Sequence, residues 1–177
     1  MGDLKELAEA VKRHNATGEA ITRIVNRPAN RGSTGEYIAS QVLGIELHKS
    51  AATKGTDGYF TTGPLNGSSV NIKWYAEHQG LLDINPAPLP AHYYLVMAGP
   101  KAAADSSQGK SAPWIVKYVF LFERDTLLEA LRKRGVKIGV ATSVSRDLWN
   151  DAEIYPAAQS NLLVLTEEQK ALIGLFG

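Results

Sequence analysis

At 177 residues, with 44% hydrophobic and 21% charged side chains, the chain has the size and composition of one globular domain and not of a disordered polypeptide. It contains no cysteine, which excludes thiol nucleophiles, cysteine-ligated zinc or iron–sulfur centres and disulfides, and suits a reducing cytosol. With 19 lysines and arginines against 18 acids there is no global positive field, so a nucleic-acid partner would need a local basic patch. The most apolar run, Trp114–Phe122, is interrupted by Lys117 and falls short of the roughly 18 residues of a membrane span. Met1-Gly2-Asp3-Leu4-Lys5-Glu6 lacks the basic-then-apolar layout of a signal peptide. The expectation is a soluble, cytoplasmic protein with no membrane partner.

Leu4, Leu7, Ala8 and Val11 at helical spacing behind Asp3 predict an amphipathic helix over 3–14, and a second helix over Gly18–Asn26 that stops before Pro28. Ser33 with Glu36 three residues on reads as a capping box, and Tyr37, Ile38, Val42 and Leu43 as the stripe of a helix ended by Gly44. Ile45–His48, Asp57–Thr61 and Ser69–Tyr75 then alternate as strands, with Asn66-Gly67 in the second turn, and predict an antiparallel meander. Residues 76–92, with Pro86, Pro88 and Pro90, form a long connection in which only Ala76–Gly80 has room for a helical turn. Tyr93–Ala98 and Trp114–Glu123 read as further strands around a polar loop, Lys101–Ser111. Asp125–Arg134 is a predicted helix, Val136–Val144 a predicted strand, and Thr166–Phe176 a closing helix with Thr166 and Gln169 as a capping box. The order of elements predicts a single α/β domain around a mixed sheet.

Ala104-Asp105-Ser106-Ser107-Gln108-Gly109-Lys110-Ser111 loosely matches a phosphate loop. A phosphate loop must open a helix whose amides hold the phosphates, whereas here Ala112-Pro113 and an aromatic, β-branched strand follow. His14, His48, His78 and His92 have no metal-ligand spacing, and no nucleophile elbow is present. The meander carries the chemistry. Side chains two apart on a strand share a face, so Asn71 and Lys73 point one way while Val70, Ile72 and Trp74 form the core side. Asp57 opens the neighbouring strand. A carboxylate, an amide oxygen and an ammonium in this arrangement suit magnesium-assisted phosphodiester hydrolysis. The same spacing also serves a cross-strand Asp–Lys ion pair on a sheet surface, which is the commoner arrangement.

A helix with Gly35-Glu36-Tyr37-Ile38-Ala39, a strand, then Gly55-Thr56-Asp57-Gly58-Tyr59-Phe60 and Ser69-Val70-Asn71-Ile72-Lys73 resembles the core of the PD-(D/E)xK, or restriction-endonuclease-like, nuclease superfamily. Asn71–Tyr75, Gly80–Asn85 and Gly135–Val144 look similar to a bacterial domain family placed within it. The resemblance implies a core of helix, three-stranded meander and fourth strand over residues 33–98, with an N-terminal helical extension over 1–32 and a C-terminal elaboration over 99–177. It carries the metal-binding aspartate onto Asp57, the lysine onto Lys73 and a helical carboxylate onto Glu36. Two positions depart from the pattern: the second acid is Asn71, and the helix before the fourth strand is missing. Asn71 and the Ile72 carbonyl would complete the shell of a magnesium or manganese ion, with Glu36, or else Glu77 or Glu46, restoring the lost carboxylate. Glu36 has the rival role of capping-box partner.

The resemblance thus implies a metal-dependent nuclease acting on DNA, with a homodimer as the form that duplex-cleaving members often take. The alternative is a catalytically inactive module of the same fold that binds nucleic acid or a protein partner, and a third reading is an interaction module with no nucleic-acid role. Trp74, Tyr75, Tyr93 and Tyr94 would stack on bases where exposed. Arg27, Arg31, Lys49, Lys54 and Lys73 would follow a phosphate backbone.

Overall fold

The computed structural model describes residues 2–49, 55–84, 91–102 and 111–177. Lys54, the prolines of 85–90 and most of the phosphate-loop-like motif lie outside the described residues. The chain opens with one unbroken helix, α1 (Gly2–Val25), where the sequence reads as two. Nothing between His14 and Gly18 breaks a helix outright: a glycine costs about 1 kcal/mol, and Thr17 returns its hydroxyl to the Arg13 carbonyl at 2.9 Å. The predicted apolar stripe is real but unburied, with Leu4, Leu7 and Val11 exposed, and only the end of α1 reaches the core through Val25.

Helix α2 (Arg31–Leu43) begins earlier than the Ser33 cap predicts. Asn30 is the cap, its side chain accepting the Ser33 amide at 2.9 Å. Asparagine caps as well as serine does, and starting there places Glu36 in the second turn, beyond the reach of a capping box. Gly44 closes the helix in the left-handed region at φ 64°.

Strands β1 (Ile45–Leu47), β2 (Gly58–Phe60) and β3 (Ser69–Tyr75) form the expected antiparallel meander, with a 3-10 turn at Gly63–Leu65 between the last two. Then come β4 (Leu81–Leu82), β5 (Tyr93–Ala98), β6 (Tyr118–Glu123), α3 (Arg124–Lys133), β7 (Thr142–Ser143), α4 (Arg146–Ala152), β8 (Glu153–Tyr155) and α5 (Glu167–Gly174). The described residues form a six-stranded mixed sheet in the order β1-β2-β3-β5-β6-β8, in which β5 runs parallel to β3 and the other pairings are antiparallel. Two expectations change. Val136–Val144 is not one strand: only Thr142–Ser143 is extended, paired with Leu81–Leu82 in a separate ribbon. The sixth strand starts at Tyr118, because Trp114 and Ile115 turn aside, where the Ile115 carbonyl accepts from Trp74 Nε1. Between β3 and β5 the described residues hold the short strand β4 and no helix.

The alternation along β3 sorts the two cores. Val70, Ile72 and Trp74 pack with Ile38, Ala39 and Val42 of α2 and Ile173 of α5. On the other face, Tyr94, Val96 and Phe120 pack with Leu127 and Leu131 of α3 and Trp149 of α4. Gly35 lets α2 lie close against β3, since a Cβ there would sit 3.0 Å from Met97 Cε and 3.1 Å from Trp74 Cβ. The Thr166–Gln169 capping box forms as predicted, and Gln169 also ties α5 to the Val42 carbonyl at 2.9 Å. Among the described residues, no helix is long and apolar enough to cross a membrane.

Candidate active site

Beyond Gly58 the chain of β2 leaves the sheet, and the edge of β3 past Val70 loses its strand partner. The last backbone contact is the Asp57 amide on the Val70 carbonyl at 2.9 Å. The Asp57 side chain fills the gap, its Oδ2 accepting the Ile72 amide at 2.6 Å. In an extended strand a residue's N–H and C=O point to the same edge, so the Ile72 carbonyl also lies beside Asp57. Gly58, next to Asp57, lets β2 lie close against β1: a Cβ there would lie 2.3 Å from the Glu46 carbonyl oxygen.

Glu36 reaches the same gap from α2. Burial pushes its carboxyl above the ordinary range, the Asp57 charge pushes it further, and Arg27 and Lys73 pull it back. Asp57 is also raised by burial, opposed by the Ile72 hydrogen bond and by Lys73, His48 and Arg27. Glu36, Asp57 and Lys73 therefore lie within one another's fields. Lys73 is half-buried on β3, on the same face as Asn71. Asn71 is 8% exposed, and its Oδ1 is buried with no hydrogen-bond partner among the described residues. An unpaired buried carbonyl oxygen is costly to a fold, and a water or an ion is a partner able to satisfy it.

Two neighbours escaped the sequence reading. Arg27, taken there only as a backbone-tracking cation, forms an ion pair with Glu36 through Nη1 and donates to the His48 carbonyl through Nη2 at 2.7 Å. This pairing replaces the capping-box role for Glu36. His48, noted there only for its lack of metal-ligand spacing, has Nε2 2.9 Å from Thr56 Oγ1, beside Asp57. The signals were present in the sequence: Arg27 stands in the short segment between α1 and α2, and Thr56 directly precedes Asp57.

The substitutes considered for the lost acid do not join the cluster. Glu46 hydrogen-bonds Tyr59, and Glu77 accepts from Gln79 at 3.0 Å. Of the basic set, Arg31 donates to the Ala112 carbonyl at 2.9 Å and Lys49 is exposed. The four aromatics that would stack where exposed belong to the core instead, the commoner role for strand aromatics: Trp74 and Tyr94 are buried in the two cores and Tyr75 and Tyr93 pack against them.

Among the described residues, no three histidine, aspartate or glutamate side chains group to hold a metal. The oxygen donors present still fit a small hard cation. Magnesium keeps several waters and commonly takes only one or two carboxylates with substrate phosphate, and here Glu36 and Asp57 lie within each other's fields, Asp57 beside the edge carbonyl of Ile72. The sequence matches no protein-family model and no curated protein.

Proposed function

We propose that this protein is a magnesium- or manganese-dependent nuclease of restriction-endonuclease-like type that hydrolyses DNA phosphodiester bonds. The observation that carries the reading is that Glu36, Asp57 and Lys73 lie within one another's fields where β2 and β3 part, with the buried Asn71 two residues before Lys73 on the same strand face. The antiparallel meander followed by a strand parallel to its third member supports the same reading.

Asp57 and Glu36 would hold the cation, with Asn71 Oδ1 and the Ile72 carbonyl as neutral ligands. When bound, the ion lowers the pKa of a water and offsets charge on the phosphate. Lys73 carries the positive end of the site: its ammonium orients the attacking water and neutralises charge that develops on the phosphate oxygens. The Ile72 amide keeps Asp57 from turning away, leaving Oδ1 as the oxygen that bond does not use.

One observation favours a second reading, a non-catalytic module of the same fold that binds nucleic acid or a protein. Asn71 brings no charge, and one of the two carboxylates is already paired with Arg27. Manganese titration calorimetry and plasmid cleavage on the wild type, Asp57→Asn and Lys73→Ala separate the two. The nuclease reading expects one manganese site lost in Asp57→Asn, and divalent-dependent cleavage lost in both folded variants. Cleavage untouched by either substitution would falsify it, and a wild type without a manganese site favours the binding module.

A further inference from the structure

Arg27 does more than balance the charge of Glu36. Its guanidinium is anchored at two points, on Glu36 Oε2 and on the His48 carbonyl at the end of β1. The Arg27 and Glu36 side chains are 23% and 20% exposed, so the pair is largely withdrawn from water. A guanidinium is a rigid planar fork, and fixing one arm on a backbone carbonyl fixes the direction of the other. It also engages one carboxylate oxygen and not both.

Resting on the cation site argued above, we propose that Arg27 is the positioning residue of that site: it grips Glu36 through Oε2 and presents Oε1 to a divalent ion shared with Asp57. Ligating carboxylates are commonly oriented by hydrogen bonds to their outer oxygen, and removing such partners costs metal affinity. Breaking a pair this withdrawn from water would strand a charge, which argues against Arg27 leaving Glu36 when the ion arrives.

The test is manganese titration calorimetry at pH 8 on the wild type, Arg27→Met, Arg27→Lys, Glu36→Gln and Arg27→Met/Glu36→Gln, with metal-free circular dichroism to verify folding. Arg27→Met is expected to weaken manganese binding about ten- to hundredfold. Arg27→Lys, which keeps the charge and loses the fork, is expected to weaken it in the same direction and carries the comparison if Arg27→Met does not fold. In the Glu36→Gln background, Arg27→Met should have no further effect, because Arg27 acts through Glu36. Unchanged or tighter binding in Arg27→Met overturns the inference, since the guanidinium would then be idle or a competitor. Equal losses with and without Glu36 overturn it as well, because they describe a general structural role. A wild type that binds no manganese removes the nuclease reading and this inference together, whereas wild-type binding with an indifferent Arg27→Met removes this inference alone.

Discussion

Asp57 has a structural task and a chemical one, and two substitutions separate them. Its Oδ2 accepts the Ile72 amide at 2.6 Å where β2 no longer pairs with β3. Asp57→Asn retains an oxygen that can accept this bond, and Asp57→Ala leaves the amide of a buried residue unpaired. An unsatisfied buried amide costs about 1–3 kcal/mol. At about 2–4 °C of melting temperature per kcal/mol for a chain of this size, the middle of that range separates the two variants by about 4–8 °C. The charge acts in the opposite direction. Burial holds the Asp57 carboxyl above its ordinary range, so the folded state binds a proton more tightly than the unfolded state does. Its contribution to stability is therefore full below the ordinary carboxylate range and is lost as pH rises through the raised value. Asp57→Asn escapes that loss, so its stability relative to wild type should grow between pH 4 and pH 7, while its manganese binding disappears. Urea unfolding followed by circular dichroism at both pH values measures all three proteins. Coincident midpoints for the Asn and Ala variants would refute the role given to the Ile72 bond. A wild type that gains on Asp57→Asn as pH rises would show that neighbouring cations outweigh burial at this carboxylate.

Both site carboxylates sit above their ordinary range, so protons compete with metal at unusually high pH. Manganese affinity should fall as pH is lowered from 8 to 5, and a flat profile would contradict the raised values. Lys73→Met should fold like the wild type and lose cleavage while binding manganese at least as tightly, because a positive neighbour is gone; loss of binding in calorimetry would argue against the role given to Lys73. In Gly58→Ala the new Cβ meets the Glu46 carbonyl oxygen at 2.3 Å, which must force β1 and β2 apart. A loss of about 1–3 kcal/mol in thermal unfolding is expected, with weaker manganese binding because Asp57 moves too. Thr166→Ala removes the cap of α5 and should cost about 1 kcal/mol in urea unfolding, with manganese affinity unchanged.

Much of the fold is legible along the chain because its signals are local. The alternation of Val70, Ile72 and Trp74 against Asn71 and Lys73 survives intact in the sheet. So does the Thr166–Gln169 cap, which needs only four consecutive residues. The misreadings occur where a local signal has an equal competitor. Asn30 and Ser33 are both good caps, and Asn30 is the one used. Val136–Val144 has strand-like composition, but only Thr142–Ser143 finds a partner strand.

By itself, the sequence determined the α/β class, the meander and the shared face of Asn71 and Lys73, since each follows from a period of two or a capping pattern within a few residues. Only the tertiary structure decided that Glu36 pairs with Arg27, that Asp57 holds the Ile72 amide, and that Asn71 Oδ1 is buried without a partner among the described residues. Those outcomes depend on which groups lose water together when the helices settle on the two faces of the sheet. Desolvation is a property of the assembled layers, and no local periodicity encodes it.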